Sequence, residues 1–434
     1  MSPVTIGLIG LVVLLLLLFL RVPVAICMAV VGFVGYLLIS GPQAALKLMS
    51  IVPFSTLNNY TFSVVPLFVL MGYFVFYGNL ATGMFNALNK WLSHIRGGIC
   101  YATILGGAVF GAANGGGPAS TATLAKIAVP EMTRLGVNRR LTYGVVASAG
   151  PLATMIPPSI LMIIYAILAE QSVGKLLIAG IVPGIIITIG YCVTVFILTK
   201  RNPDWVPKAE KVPFKERVQS LKGIWGFGIL IAFIMLGLYF GFFTPTEAGA
   251  IGALVALVIT VVTRRLNLKG FNMSIYETIK TSAMVFFIIV SSILFGYFLG
   301  ITRLPSTISE FIVSLNVHPM VIMICICLLY IFLGMFIDML SALFITIPII
   351  LPAVVELGFD PIWFGVIVVF IAELSMVTPP FGLSLFVIKG SIKDSSIPEI
   401  VRGSLPFIVA DLVILLIFLF FPDLILFLPN MMKG

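Results

Sequence analysis

The chain has 434 residues, of which 60% are hydrophobic and only 9% are charged, and its mean hydropathy is +1.20. Soluble domains carry about 25% charged residues, so this composition excludes a water-soluble globular protein and predicts a membrane protein. The formal net charge of +9 is typical of basic loops beside a membrane rather than of a nucleic-acid-binding protein.

The first apolar run predicts a membrane-spanning helix. Residues 4–20 are continuously apolar, whereas a barrel strand would alternate, and a helical span needs about 20 such residues. Arg21 follows this run rather than preceding it, which favours a retained first span over a cleaved signal peptide. The whole chain contains roughly ten to fourteen apolar segments of this length. We therefore predict an all-α polytopic membrane protein.

The glycine-rich stretch GAANGGGPASTAT, at 111–123, interrupts this apolar pattern. Glycine and proline free backbone polar groups, which are tolerated inside a membrane only where they line a cavity or bind a ligand. We therefore expect a re-entrant helical hairpin over about 106–130, with its tip at the glycines. Close helix packing is the alternative explanation for these glycines taken alone.

A second interruption, ATMIPPS at 153–159, predicts a broken helix over about 145–168; a plain proline kink is the alternative. The polar segment 200–223 then divides the chain nearly in half, and it contains seven lysines and arginines. These charges predict a cytoplasmic basic linker, and a site for lipid headgroups or a partner is the alternative.

The second half repeats the proline and glycine pattern of the first. Four pairs share an offset of 222 residues: Pro130 and Pro352, Gly136 and Gly358, Pro157 and Pro379, Pro158 and Pro380. We therefore expect a second hairpin over about 328–352 and a second broken helix over about 364–390. The predicted organisation is a first repeat over 1–199, the linker, a second repeat over 224–421, and a tail over 422–434.

Charge predicts that the two repeats have opposite orientations in the membrane. Arg139 and Arg140 follow the first hairpin, whereas Glu356 and Asp360 follow the second. Basic loops are usually cytoplasmic, so the two repeats are expected to be inverted relative to each other. Inverted-topology repeats are typical of secondary transporters.

The four interruptions are expected to converge on one site. Asp338 is the single carboxylate in the apolar run 334–348, so it is a functional candidate, although it could instead pair with a lysine or cap a helix. Freed carbonyl groups suit sodium, and helix N-termini suit a carboxylate. The candidate cation-binding residues are Asn114, Gly115, Ser120, Thr154, Pro157, Asp338, Ser341, Ser375, Thr378, Pro379 and Gly382. The candidate substrate-binding residues are Gly116, Gly117, Thr121, Ser159 and Thr346.

Other function classes lack their motifs. The sequence contains no GxxxxGK[ST] nucleotide-binding loop, no HExxH zinc motif and no GxSxG nucleophile motif. We therefore expect neither an enzyme nor a cofactor beyond sodium as a coupling ion. Any active transport would have to use an ion gradient or another subunit.

At GAANGGGPASTATLAKIAVPEM, MIPPSI, FTPTEAGAIGA, FIDM and SMVTPPFG, the chain resembles the large membrane subunit (DctM-like) of the tripartite ATP-independent periplasmic (TRAP) transporters. The resemblance runs nearly end to end. It implies a sodium-coupled importer of an organic acid, such as a dicarboxylate or sialic acid, with a scaffold and an elevator-type transport domain.

The same resemblance implies two protein partners, a small four-helix membrane subunit and a periplasmic solute-binding protein, in the bacterial inner (cytoplasmic) membrane. It implies no nucleic-acid partner. Two alternatives stay open at this point: a stand-alone sodium/anion symporter without a binding protein, and a non-transporting structural subunit of a membrane complex.

Overall fold

The computed structural model describes residues 2–20, 22–114, 117–207, 212–221, 225–315 and 317–432, and every regular element in these ranges is helical. The prediction of an all-α chain is confirmed. The helices of the first half are α1 (Pro3–Phe19), α2 (Val24–Leu57), α3 (Val64–Tyr77), α4 (Leu80–Leu92), α5 (Gly98–Asn114), α6 (Gly117–Arg134), α7 (Arg139–Ala149), α8 (Ile160–Leu168), α9 (Val173–Ala179), α10 (Ile181–Arg201) and α11 (Phe214–Leu221). Short 3₁₀ helices lie at Tyr60–Ser63, Pro151–Thr154 and Pro203–Trp205.

The second half is helical in the same way. Its helices are α12 (Trp225–Tyr239), α13 (Pro245–Val262), α14 (Leu268–Thr302), α15 (Leu304–Ser314), α16 (Pro319–Phe336), α17 (Met339–Glu356), α18 (Pro361–Val377), α19 (Leu383–Ser391), α20 (Ile397–Phe420) and α21 (Asp423–Met431). Eight helical segments among the described residues are long and apolar enough to cross a membrane, by length and composition. Large outward-facing side chains such as Leu38 and Val262 are 66% and 74% exposed, as expected of a surface that faces lipid rather than water.

The helix boundaries of the two halves coincide at the offset found in the sequence. Helix α6 spans 117–134 and α17 spans 339–356, so both their starts and their ends are 222 residues apart. A glycine with positive φ follows each helix, at Gly136 (79°) and Gly358 (87°). Asn138 and Asp360 then cap the next helices, α7 and α18, with their side chains. The equivalent glycines and capping residues explain the equivalent helix boundaries, because positive-φ glycines end helices and N-cap side chains begin them.

Helix α18 lies at the centre of the molecule, with most of its side chains fully buried. The phenol of Tyr165, in α8, donates a 2.6 Å hydrogen bond to the carbonyl of Pro361 at the start of α18. Gly365 lies directly against the same ring. The indole of Trp363 donates to the carbonyl of Phe418 in α20 at 3.0 Å. The Tyr165 contacts join the first half of the molecule to the second, and the Trp363 bond joins two helices of the second half.

The basic segment between the halves contains a packed helix, where the sequence indicated a solvated loop. In α11 the apolar side chains of Phe214, Val218 and Leu221 recur at helical spacing, so the segment can form one apolar face. The indole of Trp91, in α4, donates a 3.0 Å hydrogen bond to the carbonyl of Arg217. The Phe214 and Trp91 rings lie 6.5 Å apart. Part of the linker therefore packs against the first repeat.

Candidate functional site

Helices α5 and α6 form the two arms of the first interruption. Gly115 and Gly116, between the arms, lie outside the described residues, and so does the side chain of Asn114. Gly117, the first residue of α6, is buried where a Cβ would lie 2.7 Å from Sδ of Met376 and 3.3 Å from Cα of Pro151. The start of α6 therefore lies close to both proline-containing breaks.

Three hydroxyl groups follow this tip, and they have different surroundings. The Thr121 hydroxyl donates to the carbonyl of Gly117 at 2.8 Å and lies 3.2 Å from the hydroxyl of Ser384 in α19. Ser120 is fully buried, and its hydroxyl has no hydrogen-bond partner among the described residues. Thr123 is half-buried, and its hydroxyl bonds within its own helix. Ser120 and Thr121 thus face the interior, as binding groups at this tip must.

The first break extends from Gly150 to Ser159. Helix α7 ends at Ala149, a 3₁₀ turn follows at Pro151–Thr154, and a cis peptide bond joins the two prolines at 157 and 158. Thr154 bonds back to the Pro151 carbonyl at 2.9 Å. The Ser159 hydroxyl caps α8 by accepting from the amide of Met162 at 3.3 Å. Both hydroxyls are buried and already engaged with the local backbone.

The second break, from Thr378 to Gly382, has the same form. A cis bond joins Pro379 and Pro380. The Thr378 hydroxyl donates to the carbonyl of Leu374 at 2.7 Å. A Cβ at Gly382 would lie 2.8 Å from the carbonyl oxygen of Met376, so the chain folds tightly back over the end of α18. Helix α19 begins at Leu383 without a side-chain cap, which leaves its first amide groups available to an anion.

Helices α16 and α17 form the second hairpin, with Ile337 and Asp338 between them. Asp338 is exposed and caps α17: its Oδ2 accepts from the amide and the hydroxyl of Ser341 at 3.3 and 3.4 Å. The Thr346 hydroxyl lies two turns further on, 2.7 Å from the Tyr330 hydroxyl and 2.7 Å from the carbonyl of Ala342. Thr346 therefore ties the hairpin arms together, away from the tip.

The second hairpin packs against the second break. A Cβ at Gly334, in α16, would lie 2.5 Å from Oγ of Ser375. That hydroxyl donates to the carbonyl of Ile371 at 2.6 Å. The rings of Phe336 and Phe381 are 5.3 Å apart. Both hairpins thus contact the broken helix α18–α19, the first through Met376 and Ser384 and the second through Ser375 and Phe381.

The structure adds residues that the sequence analysis missed. Ser384 and Met376 flank the second break and contact the first hairpin, but no local pattern distinguishes them from ordinary apolar-helix residues. Pro157 differs from the other candidates because it lines an apolar cavity of about 630 Å³ between α5, α10 and α12. An apolar cavity does not suit a carboxylate, so the anion-binding groups are to be sought at the helix starts instead.

Comparison with known proteins identifies the family of this chain. The family model described as "Tripartite ATP-independent periplasmic transporter, DctM component" matches residues 11–424. The chain is 34% identical over 388 residues to the C4-dicarboxylate TRAP transporter large permease protein DctM of Pseudomonas aeruginosa, covering 89% of this chain and 90% of that protein. It is 30% identical over 380 residues to the sialic acid TRAP transporter large permease protein SiaM of Vibrio cholerae, covering 87% and 88%.

A solved structure shares the fold at low sequence identity. The YdaH transporter of Alcanivorax borkumensis superimposes with a TM-score of 0.65 at 14% identity, over 88% of this chain and 89% of that one. The two relatives named above are transporter permeases rather than enzymes, in agreement with the missing catalytic motifs. The chain therefore belongs to the DctM family of tripartite ATP-independent periplasmic transporters.

Proposed function

We propose that the chain is the membrane subunit of a sodium-coupled importer that carries an organic acid delivered by a periplasmic binding protein. The observation that carries the proposal is the contact of both hairpins with one broken helix. Gly117 of the first hairpin lies on Met376, and Gly334 of the second lies on Ser375, one residue away. Irregular backbone at membrane depth is tolerated where it lines a binding site. The two hairpins and the broken helix bring such backbone together at one place.

The cation would bind to oxygen atoms at the breaks and the second hairpin tip. Sodium is a hard cation and prefers oxygen ligands, which the Asp338 carboxylate and the backbone carbonyls around Thr154 and Thr378 can supply. Ser120 supports this assignment because its buried hydroxyl lacks a partner among the described residues. Buried polar groups are normally hydrogen-bonded, so an unengaged hydroxyl beside a break is a reasonable ligand.

The substrate would bind through helix starts near the same place. Helices α6, α8 and α19 all begin at the breaks or the first tip, and helix N-termini attract anions. The two relatives are named for a C4-dicarboxylate and for sialic acid, which both carry carboxylates. We therefore propose a carboxylate substrate held by Gly117, Thr121 and the amide groups that begin α19.

The two repeats are proposed to have inverted topology and to support alternating access. Helices α6 and α17 have equivalent boundaries, yet Arg139 follows one and Asp360 the other, and the basic loop should be cytoplasmic. In such transporters, one assembly moves against another around the site. We propose that the hairpins and broken helices form the moving part of an elevator, with α2 and α14 in the scaffold.

The proposal includes partners and a location. The family description is that of a tripartite system, so a small membrane subunit and a periplasmic binding protein complete the transporter. A periplasmic partner requires the inner membrane of a bacterium. In this arrangement, the binding protein selects the substrate and this chain moves it.

The proposed function can be tested in proteoliposomes that contain the chain with both partners and no ATP. Radiolabelled succinate and sialic acid are supplied outside, with an inward sodium gradient or an equal potassium gradient. We expect uptake of one acid that requires both the sodium gradient and the binding protein. Equal uptake after a sodium ionophore collapses the gradient would refute sodium coupling. Uptake without the binding protein would favour a stand-alone symporter.

A further inference from the structure

Two carboxylates lie buried side by side where α10, α18 and α20 meet. Glu373 in α18 and Asp411 in α20 are both 0% exposed. The phenol of Tyr191, in α10 and equally buried, donates a 3.0 Å hydrogen bond to Oε1 of Glu373. Neither carboxylate forms an ion pair with any described residue. Carboxylates inside a protein are normally paired, bound to a cation or neutralised by a proton.

The cluster contains several oxygens without a hydrogen-bond donor. Oε2 of Glu373 and both carboxylate oxygens of Asp411 have no partner in the described part of the chain. The hydroxyl of Ser148, in α7, is also fully buried and without a partner there. Ser148 is an independent observation, because it carries no charge. A buried neutral hydroxyl usually has a hydrogen-bond partner.

Helix packing brings Ser148 to the level of the carboxylates. Gly144 of α7 lies against the backbone of Gly403 in α20, and a Cβ at Gly144 would lie 3.1 Å from the ring of Phe407. From the contact of Gly144 with Phe407, one further helical turn leads to Ser148 in α7 and to Asp411 in α20. On the other side of α20, the ring of Tyr191 lies 5.7 Å from that of Phe407. Tyr191, Glu373 and Asp411 thus come from three helices that meet, and Ser148 lies on a fourth helix, α7, which packs against α20.

The side chain of Glu373 faces away from the second hairpin. Glu373 points to Tyr191 in α10, whereas Ser375, two residues later, contacts Gly334 in α16. Residues two apart on a helix lie about 200° apart around its axis, so they occupy opposite sides of α18. A ligand between Glu373 and Asp411 would thus be held away from the site proposed for transport.

We propose that Glu373, Asp411 and Ser148 bind a monovalent hard cation, such as sodium, in the interior of the protein. The oxygens of the two carboxylates are the ligands that hard cations prefer, and Ser148 adds a neutral one. Calcium takes six to eight oxygens, more than the four unpartnered ones present, and a monovalent ion together with one proton on the carboxylate pair would neutralise its two charges. Tyr191 is a positioning residue that holds Glu373. This site goes beyond the proposed transport function and does not depend on it.

The test is equilibrium binding of sodium-22 to the purified full chain in lipid nanodiscs. We expect Asp411→Asn and Glu373→Gln each to bind one sodium ion fewer per chain than the unmodified protein. Ser148→Ala should raise the Kd of that ion about tenfold. Glu310→Gln, which changes an exposed carboxylate in α15, is the matched control and should bind the full number.

An unchanged sodium count and Kd in Asp411→Asn would overturn the proposal. A change in the pH dependence of protein stability with an unchanged sodium count would also overturn it, because the carboxylate pair would then hold a proton instead of sodium. If the carboxylate variants fail to fold, Ser148→Ala decides, and an unchanged Kd there overturns the site. Asp338→Asn should affect a different ion, so the double variant with Asp411→Asn separates this proposal from the transport site.

Discussion

The hydroxyl of Thr121 in the first hairpin lies 3.2 Å from the hydroxyl of Ser384, just beyond the second break. These two buried groups come from opposite halves of the chain and join the first hairpin to α19. Loss of the Thr121 hydroxyl leaves the buried Ser384 hydroxyl without its partner, whereas Thr121 without Ser384 keeps its bond to the carbonyl of Gly117. The pair therefore couples the tip of one repeat to the broken helix of the other.

We expect Thr121→Val to destabilise the protein by about 1–3 kcal/mol, since it leaves the Ser384 hydroxyl buried and unsatisfied, and to slow uptake. Thermal unfolding and proteoliposome uptake measure the two effects. The double variant with Ser384→Ala should lose less than the sum of the single losses. Thr123→Val, which changes a hydroxyl that bonds within the same helix, should have little effect. Strict additivity would show that the two hydroxyls do not interact.

Gly150→Ala should be strongly destabilising. A Cβ at Gly150 would overlap the side chain of Thr121 and would lie 2.6 Å from its Cα, so the hairpin would have to move away from the first break. Overpacking of this kind costs about 1–3 kcal/mol, and uptake should fall with stability. Gly296→Ala is the control, because a Cβ there has open space around it. A melting temperature equal to that of the control would contradict the described packing.

Asp338→Asn should raise the half-saturating sodium concentration about tenfold, which corresponds to about 1.4 kcal/mol. Asparagine caps helices as well as aspartate does, so the cap of α17 is retained and the charge alone is lost. Ser341→Ala and Thr378→Val should shift the sodium dependence in the same direction by less. Docking of the binding protein should stay unchanged. A normal sodium dependence would leave Asp338 with its capping role alone.

Cysteines placed at equivalent positions should be labelled from opposite sides of the membrane. Thr133 and Val355 are 222 residues apart and both exposed, and neither is a cap or a positive-φ glycine. In a background without the native cysteines, we expect an impermeant maleimide added to intact spheroplasts to label Val355→Cys but not Thr133→Cys. Labelling of both positions from one side would exclude the inverted repeat.

The positions of the helix breaks could be predicted from the sequence because proline and glycine act locally. The proline pairs beginning at Pro157 and Pro379 mark breaks because each pair removes two adjacent backbone donors, whereas the single Pro130 and Pro352 lie inside α6 and α17. The same holds for Gly136 and Gly358, which end helices at equivalent places. Helix boundaries in both halves therefore follow from a few residues.

The partners of the candidate residues could not be predicted, because they depend on tertiary packing. No local pattern indicates that Thr121 meets Ser384, or that Thr346 is engaged by Tyr330 between the hairpin arms. Glu373 and Asp411 are a different case. Each is an isolated carboxylate within an apolar helix, so the reasoning that selected Asp338 applied equally to them and could have found them.

The backbone contact between Gly144 and Gly403 has a mechanical consequence. Small residues let two membrane helices pack closely together, so we expect α7 and α20 to move as one body. If the first broken helix crosses part of the bilayer during transport, Asp411 crosses with it. The membrane voltage then does work on this hidden charge, about 2.3 kcal/mol per elementary charge for a full crossing at 100 mV. Cation occupancy of the buried carboxylate cluster would thus change how strongly the membrane voltage drives each transport cycle.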